Sequence, residues 1–449
     1  MNSTEIVETL QEARVSAPAR SGDRPSPSLR AAPSFVLTSA RAFGTLAAAR
    51  CLGDHKVPVV LVDAERFAPA AWSRHVALRE SCPPIRPIGR FIDSLLAFGS
   101  REPGHVLYAT CDDLAWTFAE RQAELGKYFR LFTPPFETIA QVLDKRALYA
   151  ACAAVGLDTP RTWFPETDEE VSAVARSARM PLIVKPRTQA FFTSSRKGFC
   201  VTSSAELGAS YSAFARDNVY EPGTVARDAR LWRPMIQALC EDEPIYSVSG
   251  FCDPRRDLFV ARGSRKMLQW PRRAGVGIAF ESAPLDRRLA EGTRRLCEAT
   301  GFFGVFEAEF VDSGHGMQLI DFNPRFFGQL GFDVARGLPS PHFVYLAATE
   351  GFSELEDAVE RANAWQAKSP IAFHHSAMIA WTRAVERLVG RSASPMPPGA
   401  DGRDADVLVV DAAADPADCL PGLVDAVQQI CSALLHPRAA LRSAARGYS

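Results

Sequence analysis

Between Gly304 and Gly328 the chain reads GVFEAEFVDSGHGMQLIDFNPRFFG, two strand-forming runs on either side of a DSGHG turn. Residues two apart on a strand share a face, so Glu307 stands with Glu309 and Asp321 with Asn323. Folding back about His315 sets Glu309 opposite Asp321 to within a residue of register. Carboxylates at facing positions repel unless a cation lies between them. They also interrupt good strand formers such as Val305, Phe306, Phe310, Val311, Leu319, Ile320 and Phe322. The pattern therefore predicts that three or four oxygen ligands from Glu307, Glu309, Asp321 and Asn323 converge on one magnesium site, the last three being the set taken as its ligands, because magnesium takes few protein carboxylates and fills its octahedron with water and phosphate oxygens. Arg325, next on that face, sets a fixed cation beside it. A hairpin whose polar residues simply face water is the plainer alternative.

The chain has 449 residues, long enough for about three domains. Charged residues at 23% and hydrophobic residues at 47% are ordinary globular values. Lys and Arg number 51 against 52 Asp and Glu, so composition advertises no polyanion surface and no nucleic-acid partner. The ten cysteines show neither CxxC pairs nor zinc-ligand spacing. They read as reduced thiols of a cytoplasmic protein. No signal peptide, membrane span or membrane partner is expected. Residues 1–33, with SGDRPSPSLRAAPS, read as a mobile leader.

From Ser34 the pattern runs FVLT, SARAFG, TLAAARCLG, VPVVLVD, a βαβ opening of a doubly wound sheet with Asp63 closing its second strand. Only Gly44 is present of the dinucleotide fingerprint, which makes a dinucleotide site a weak reading. Further on, MPLIVKPR sets Lys185 after four apolar strand residues, either at the strand's end or pointing inward, where it needs an anion.

Together these strings resemble the ATP-grasp superfamily. Its carboxy-terminal metal hairpin is similar to EAEF and LIDFNPRFFG here. LIDFNPRFFGQLGF followed by ARGLPSPHFVYLA looks most like the carboxylate–amine ligase and carbamoyl-phosphate-synthase-like branch. The resemblance runs from about Ser34 to Gly351. It implies an α/β protein with an α+β catalytic part: a pre-ATP-grasp domain over 34–135, an ATP-grasp domain over 136–352 with a lid at about 160–240, and a carboxy-terminal extension over 353–449.

Residue by residue, the resemblance places ATP phosphates on Lys185 and on Lys145, within the amphipathic helix read in QVLDKRALYAACAAVG. A surface helical lysine is the alternative for Lys145. The usual glycine-rich loop is replaced by TQAFFTSSRKGFCV, where Ser194, Ser195, Arg196 and Lys197 would supply contacts in place of bare amides. One long strand, RPMIQALCEDEPIYSVSGFCD, carries the adenine hinge at Gln237, Ala238 and Leu239. Glu243 takes the ribose, with Glu241 as the alternative, unless Glu241, Asp242 and Glu243 are only an acidic turn. Arg265 or Lys266 would face the transferred phosphate, with Arg272 and Arg273 as loop candidates, and Arg325 would hold an acyl phosphate in a planar fork. Arg41, Asp112 and Asp113 line the acceptor cleft, although Arg41 reads equally as an ordinary arginine at a helix start. After Gly351 come a helix around HHSAMIAWTRAVERLVG, a PMPPGADG linker, and a strand and helix from Asp406 to Leu435 that read as a small αβ cap.

The implied activity is an ATP- and magnesium-dependent ligase joining a small-molecule carboxylate to an amine, amino acids among the candidates, with a homodimer left open. A phosphotransferase on the same fold and a nucleotide-binding regulatory protein are the alternatives.

Overall fold

Short, fully buried apolar runs alternating with helices build a parallel sheet at the front of the chain. In this computed structural model the described residues are 32–194, 198–217, 220–221, 231–240, 244–270, 275–388, 397–399 and 406–435. Strands β1 (Phe35–Leu37), β2 (Val59–Asp63), β3 (Val76–Ser81), β4 (His105–Leu107) and β5 (Phe129–Leu131) pair in the order β3-β2-β1-β4-β5, all parallel. This is the expected doubly wound sheet. Its order reverses between β1 and β4, where such sheets usually admit a ligand. Here that crevice is filled from within. Phe326 N donates to the Ala109 carbonyl at 3.2 Å, and the Phe326 ring packs on Tyr108 and Phe35.

Gly44 has a packing role there. A Cβ on it would lie 2.4 Å from the Phe327 carbonyl oxygen, so only glycine lets the helix Phe43–Asp54 approach the segment after the hairpin. Gly44→Ala is expected to lower stability, since overpacking against backbone costs about 1–3 kcal/mol while alanine at a helix start returns less than about 1. A lower urea midpoint at unchanged m-value is the expected result; an unaltered midpoint would contradict the packing role.

The second sheet, β6 (Thr162–Trp163), β7 (Leu182–Lys185), β8 (Phe199–Val201) and β9 (Met235–Ala238), is antiparallel in the order β6-β9-β7-β8. Helices Asp168–Ser177 and Ser204–Asp217 close a small core of Val171, Leu182, Val184, Leu207, Phe214 and Ile236 over it. It falls where a lid was expected.

The third sheet comprises β10 (Ile245–Asp253), β11 (Leu258–Trp270), β12 (Val276–Ala283), β13 (Gly304–Asp312), β14 (Met317–Asn323), β15 (Ile371–His374) and β16 (Leu408–Asp411), in the order β14-β13-β10-β11-β12-β15-β16. All its pairs are antiparallel except β15 with β16. Its apolar face is built on phenylalanine, with Phe306 and Phe322 stacked at 5.9 Å and Phe302 edge-on to Phe322.

Three expectations are corrected. The helix read across Asp144 is two, Phe136–Leu143 and Lys145–Ala154, because Asp144 turns extended and its carboxylate accepts from Arg146 N, ending one helix and capping the next. The long strand from Met235 is β9 and β10, in different sheets. Pro244, which cannot donate to a ladder, precedes the second. The carboxy-terminal strand is not a separate cap: β15, unforeseen, and β16 extend the third sheet beyond β12. The helix Cys419–Leu435 follows Asp418, whose carboxylate accepts from Arg50 Nε (2.9 Å), Ser73 Oγ (2.7 Å) and Arg74 N (2.9 Å). No helix among the described residues is long and apolar enough to cross a membrane.

Candidate functional site

The hairpin β13–β14 has the expected register, Glu309 opposite Asp321 and Glu307 opposite Asn323, with an irregularity just after Glu309. Its polar face looks into a cleft of about 660 Å³ lined from both antiparallel sheets. Its lining includes the apolar side chains of Ile183, Leu239, Leu268, Val276, Val311 and Ile320. It also carries Lys145, Lys185, Lys266 and Arg325 against Asp112, Glu307, Glu309 and Asp321, with the amide of Asn323 among them.

Most of these charges are already matched. Lys145, the first residue of its helix, is pinned there by its N–H on the Arg187 carbonyl, and its Nζ lies 2.6 Å from Asp321. Lys266 reaches across β10 to Glu309, also at 2.6 Å. Arg325 donates from Nε to Asp112 (2.7 Å), from Nη1 to the Phe326 carbonyl and from Nη2 to Asn323 Oδ1 (2.9 Å). Each side chain expected to hold magnesium therefore has a cationic side chain on one of its oxygens. Carboxylate repulsion is relieved by lysines, and among the described residues no three acid, histidine or cysteine side chains form a ready cation site. Burial works against charge on Lys145, Lys266 and Asp321, but the pairing outweighs it: both lysines are raised above their ordinary range and Asp321 is held below its own.

Two groups lie outside these pairs. Lys185, at the end of β7, has no ion-pair partner among the described residues, and burial together with the nearby Lys145 brings its ammonium down to about 7. Glu307 is buried and accepts hydrogen bonds from Ser247 Oγ (3.2 Å), Asn323 Nδ2 (3.1 Å) and Gln329 Nε2. Burial and the neighbouring Glu309 push its carboxyl up to about 7.

The other expected residues divide. Gln237 lines the cleft, but its side-chain amide is held by Tyr149 Oη (3.0 Å) and Thr162 Oγ1 (2.9 Å). Ala238 and Leu239 also line it, yet their N–H groups donate to the Arg161 and Pro181 carbonyls, so those hinge donors are committed within the protein. Arg265 points the other way from Lys266, as strand neighbours do, and faces Glu281 at 3.6 Å. It is removed from the site. Arg41 is on the surface with Glu65, and Asp113 is spent on Arg86 and the Phe191 N–H. Ser194 is not in the cleft wall. Ser195, Arg196, Lys197, Glu241, Asp242, Glu243, Arg272 and Arg273 lie outside the described residues.

Sequence reasoning missed Tyr149, whose hydroxyl joins Gln237 to the Ile320 carbonyl; its spacing of four from Lys145 on one helix face was the available signal. It also missed Gln329, which lies beyond the strand, where periodicity says nothing.

No family model matches the chain. Over 212 residues, 44% of the chain, it is 24% identical to the carbamoyl phosphate synthase large chain of Thermus thermophilus, and the match covers 18% of that relative. Among solved structures it is similar to biotin carboxylase from Campylobacter jejuni in complex with β,γ-ATP, with a TM-score of 0.56, 15% identity, and 75% of this chain and 72% of that one covered. It is also similar to the biotin carboxylase domain of 2-oxoglutarate carboxylase from Hydrogenobacter thermophilus, a dimer in complex with MgADP, ADP and bicarbonate. There the TM-score is 0.57 at 14% identity, covering 70% of this chain and 69% of that one. The chain has the ATP-grasp fold, and its sequence is similar over part of its length to a carbamoyl phosphate synthase large chain.

Proposed function

We propose that the protein is an ATP-dependent ligase that joins a carboxylate to an amine through an acyl phosphate, releasing ADP and phosphate. The observation that carries this reading is Lys185, a cation without an ion-pair partner among the described residues, in a cleft whose lining also holds apolar side chains and the Glu309, Asp321 and Asn323 set. A triphosphate would supply its missing anion, and the apolar side chains would take the base.

In the first step a carboxylate oxygen attacks the γ-phosphorus and the bond to the β-phosphate oxygen breaks. In the second the amine nitrogen attacks the acyl carbon and its bond to the phosphate oxygen breaks. The amine enters this step as the free base, its ammonium form having given one proton to solvent, and a second proton leaves on the phosphate. Catalysis of such transfers is mostly positioning and charge neutralisation. Magnesium, held by Glu309, Asp321 and Asn323, would supply neutralisation on the phosphates. Lys145 and Lys266 would pass from the carboxylates to phosphate oxygens as that ion arrives with the nucleotide. Of the five N–H groups of Arg325, three are spent on Asp112, Phe326 and Asn323, leaving two for the acyl phosphate. Cytoplasmic location and a homodimer belong to the same proposal.

The test is isotopic. With an oxygen-18 carboxylate drawn from the common amino acids, labelled phosphate should appear with ADP, and hydroxylamine should trap a hydroxamate. A phosphorylated product released intact would instead make the protein a phosphotransferase. AMP and pyrophosphate, or unlabelled phosphate with amide formation, would rule the mechanism out.

A further inference from the structure

The charges of the cleft leave one carboxylate without a cation. Among its described residues Asp321 pairs with Lys145, Glu309 with Lys266 and Asp112 with Arg325. Lys185 and Glu307 remain, and they do not pair with each other. Lys185 sits toward Lys145 and Asp321, where the triphosphate is placed above. Glu307 sits beside Arg325, joined to it through Asn323. Lys266 and Arg325 stand near Glu307 but are paired with Glu309 and Asp112, so its direct hydrogen bonds come only from neutral donors, and an incoming cation would give it an ion pair of its own.

The surroundings of Glu307 fit a small hydrogen-bond donor. Directly opposite Glu307 on β10 is Ser249, on the same face of the sheet, 1% exposed, with no hydrogen-bond partner for its hydroxyl. A carboxylate beside a hydroxyl oxygen whose lone pairs are unused suits a group that presents several N–H donors and one positive charge.

We propose that Glu307, with Ser249, seats the ammonium of the amine substrate, so that the ligase takes ammonia or a primary amine rather than an uncharged nucleophile. This rests on the ligase reading of the cleft. Through Asn323 the ammonium would stand next to Arg325, and after giving one proton to solvent it would meet the acyl phosphate there as the free amine. Glu307 thereby selects the amine, separately from the residues that hold the nucleotide.

The test sets two nucleophiles against each other on one acyl phosphate. The protein, magnesium, ATP and each common amino acid as carboxylate are supplied with methylamine, which is cationic at pH 7, and hydroxylamine, which is not. The amide-to-hydroxamate ratio cancels any change in acyl phosphate formation. Glu307→Gln should lower this ratio about tenfold to a hundredfold, the range for one hydrogen bond to a charged group. Ser249→Ala should lower it about threefold to tenfold, and guards against a misfolded first variant. An unchanged ratio in both variants overturns the inference, as does loss of both products in parallel, which would mark a structural or metal-holding role.

A binding measurement separates this from the ligase reading. With magnesium and a non-hydrolysable ATP analogue, saturation-transfer NMR should detect methylammonium on the parent and not on Glu307→Gln, with tetramethylammonium silent on both. No signal on the parent overturns the ammonium seat even if acyl phosphate forms. A signal without any hydroxamate keeps the seat and removes the ligase.

Discussion

Nucleotide binding at pH 8 should draw close to one proton from solution, and Lys185→Met should abolish that uptake together with about a hundredfold or more of the affinity. The uptake follows from the Lys185 ammonium lying near 7 in the empty protein, through burial first and the like charge of Lys145 second, with Asp321 and Glu309 only partly opposing them. At pH 8 it is mostly neutral, and a triphosphate at its Nζ restores the charge. The affinity loss follows from leaving a desolvated phosphate without its cation, since breaking a buried pair typically costs about 3–5 kcal/mol. Calorimetry in two buffers of different ionisation enthalpy reads both quantities. At pH 6, where the lysine is already charged, the uptake should vanish.

The same lysine sets a stability trend in the empty protein. Its folded pKa is lowered, so between about 7 and the ordinary 10.5 the unfolded chain binds more protons and stability rises with pH across that window. Lys185→Met should lack this contribution. Buffer-independent binding enthalpy at pH 8, or parent-like nucleotide affinity in the variant, would remove Lys185 from the phosphate site.

Glu309→Gln and Asp321→Asn should each leave a folded protein whose magnesium-dependent ADP release is about a hundredfold to a thousandfold slower, the usual effect of removing one oriented charge-stabilising group. The lysine pairs add a condition. With Nζ atoms 2.6 Å from both carboxylates, a divalent ion alone must compete with two cations already in place. Free manganese, followed by its paramagnetic resonance, should therefore bind weakly without nucleotide and tightly with it, whereas Lys266→Met should bind more tightly without nucleotide than the parent does. Parent-like turnover in both carboxylate variants would end the metal assignment. Tight manganese binding to the nucleotide-free parent would show that the lysines are no barrier.

Much of this site was legible because a hairpin imposes it. Period-two alternation places Glu307, Glu309, Asp321 and Asn323 on one face whatever the rest of the chain does, and the register followed from a short turn. Lys185 was legible for a similar reason, as one cation at the end of an apolar run. What the sequence does not encode locally is which charge meets which: Lys145 is 176 residues from Asp321, and Arg325 is 213 from Asp112. Choosing Lys266 over Arg265 needed only the phase of β11, and that phase is set by pairing with β10. The helix break at Asp144 was readable, since a short acceptor side chain before a helical run is a cap signal. The addition of β15 and β16 to the third sheet was not, because three apolar residues in a short strand say nothing about which edge they join.

The Asp418 clamp has a consequence for how the protein is made. Every residue of the cleft wall precedes Leu330, so a ribosome has delivered the whole reactive set with more than a quarter of the chain still to come. Until then the edge of β12 that β15 will cover stays open, and Arg50, Ser73 and the Arg74 N–H wait for a carboxylate 368, 345 and 344 residues downstream. Open strand edges on nascent chains invite wrong pairings. Vectorial synthesis thus sets the cleft residues ahead of the strands that seal their sheet, and the segment from β15 to Asp418 is its closing stitch.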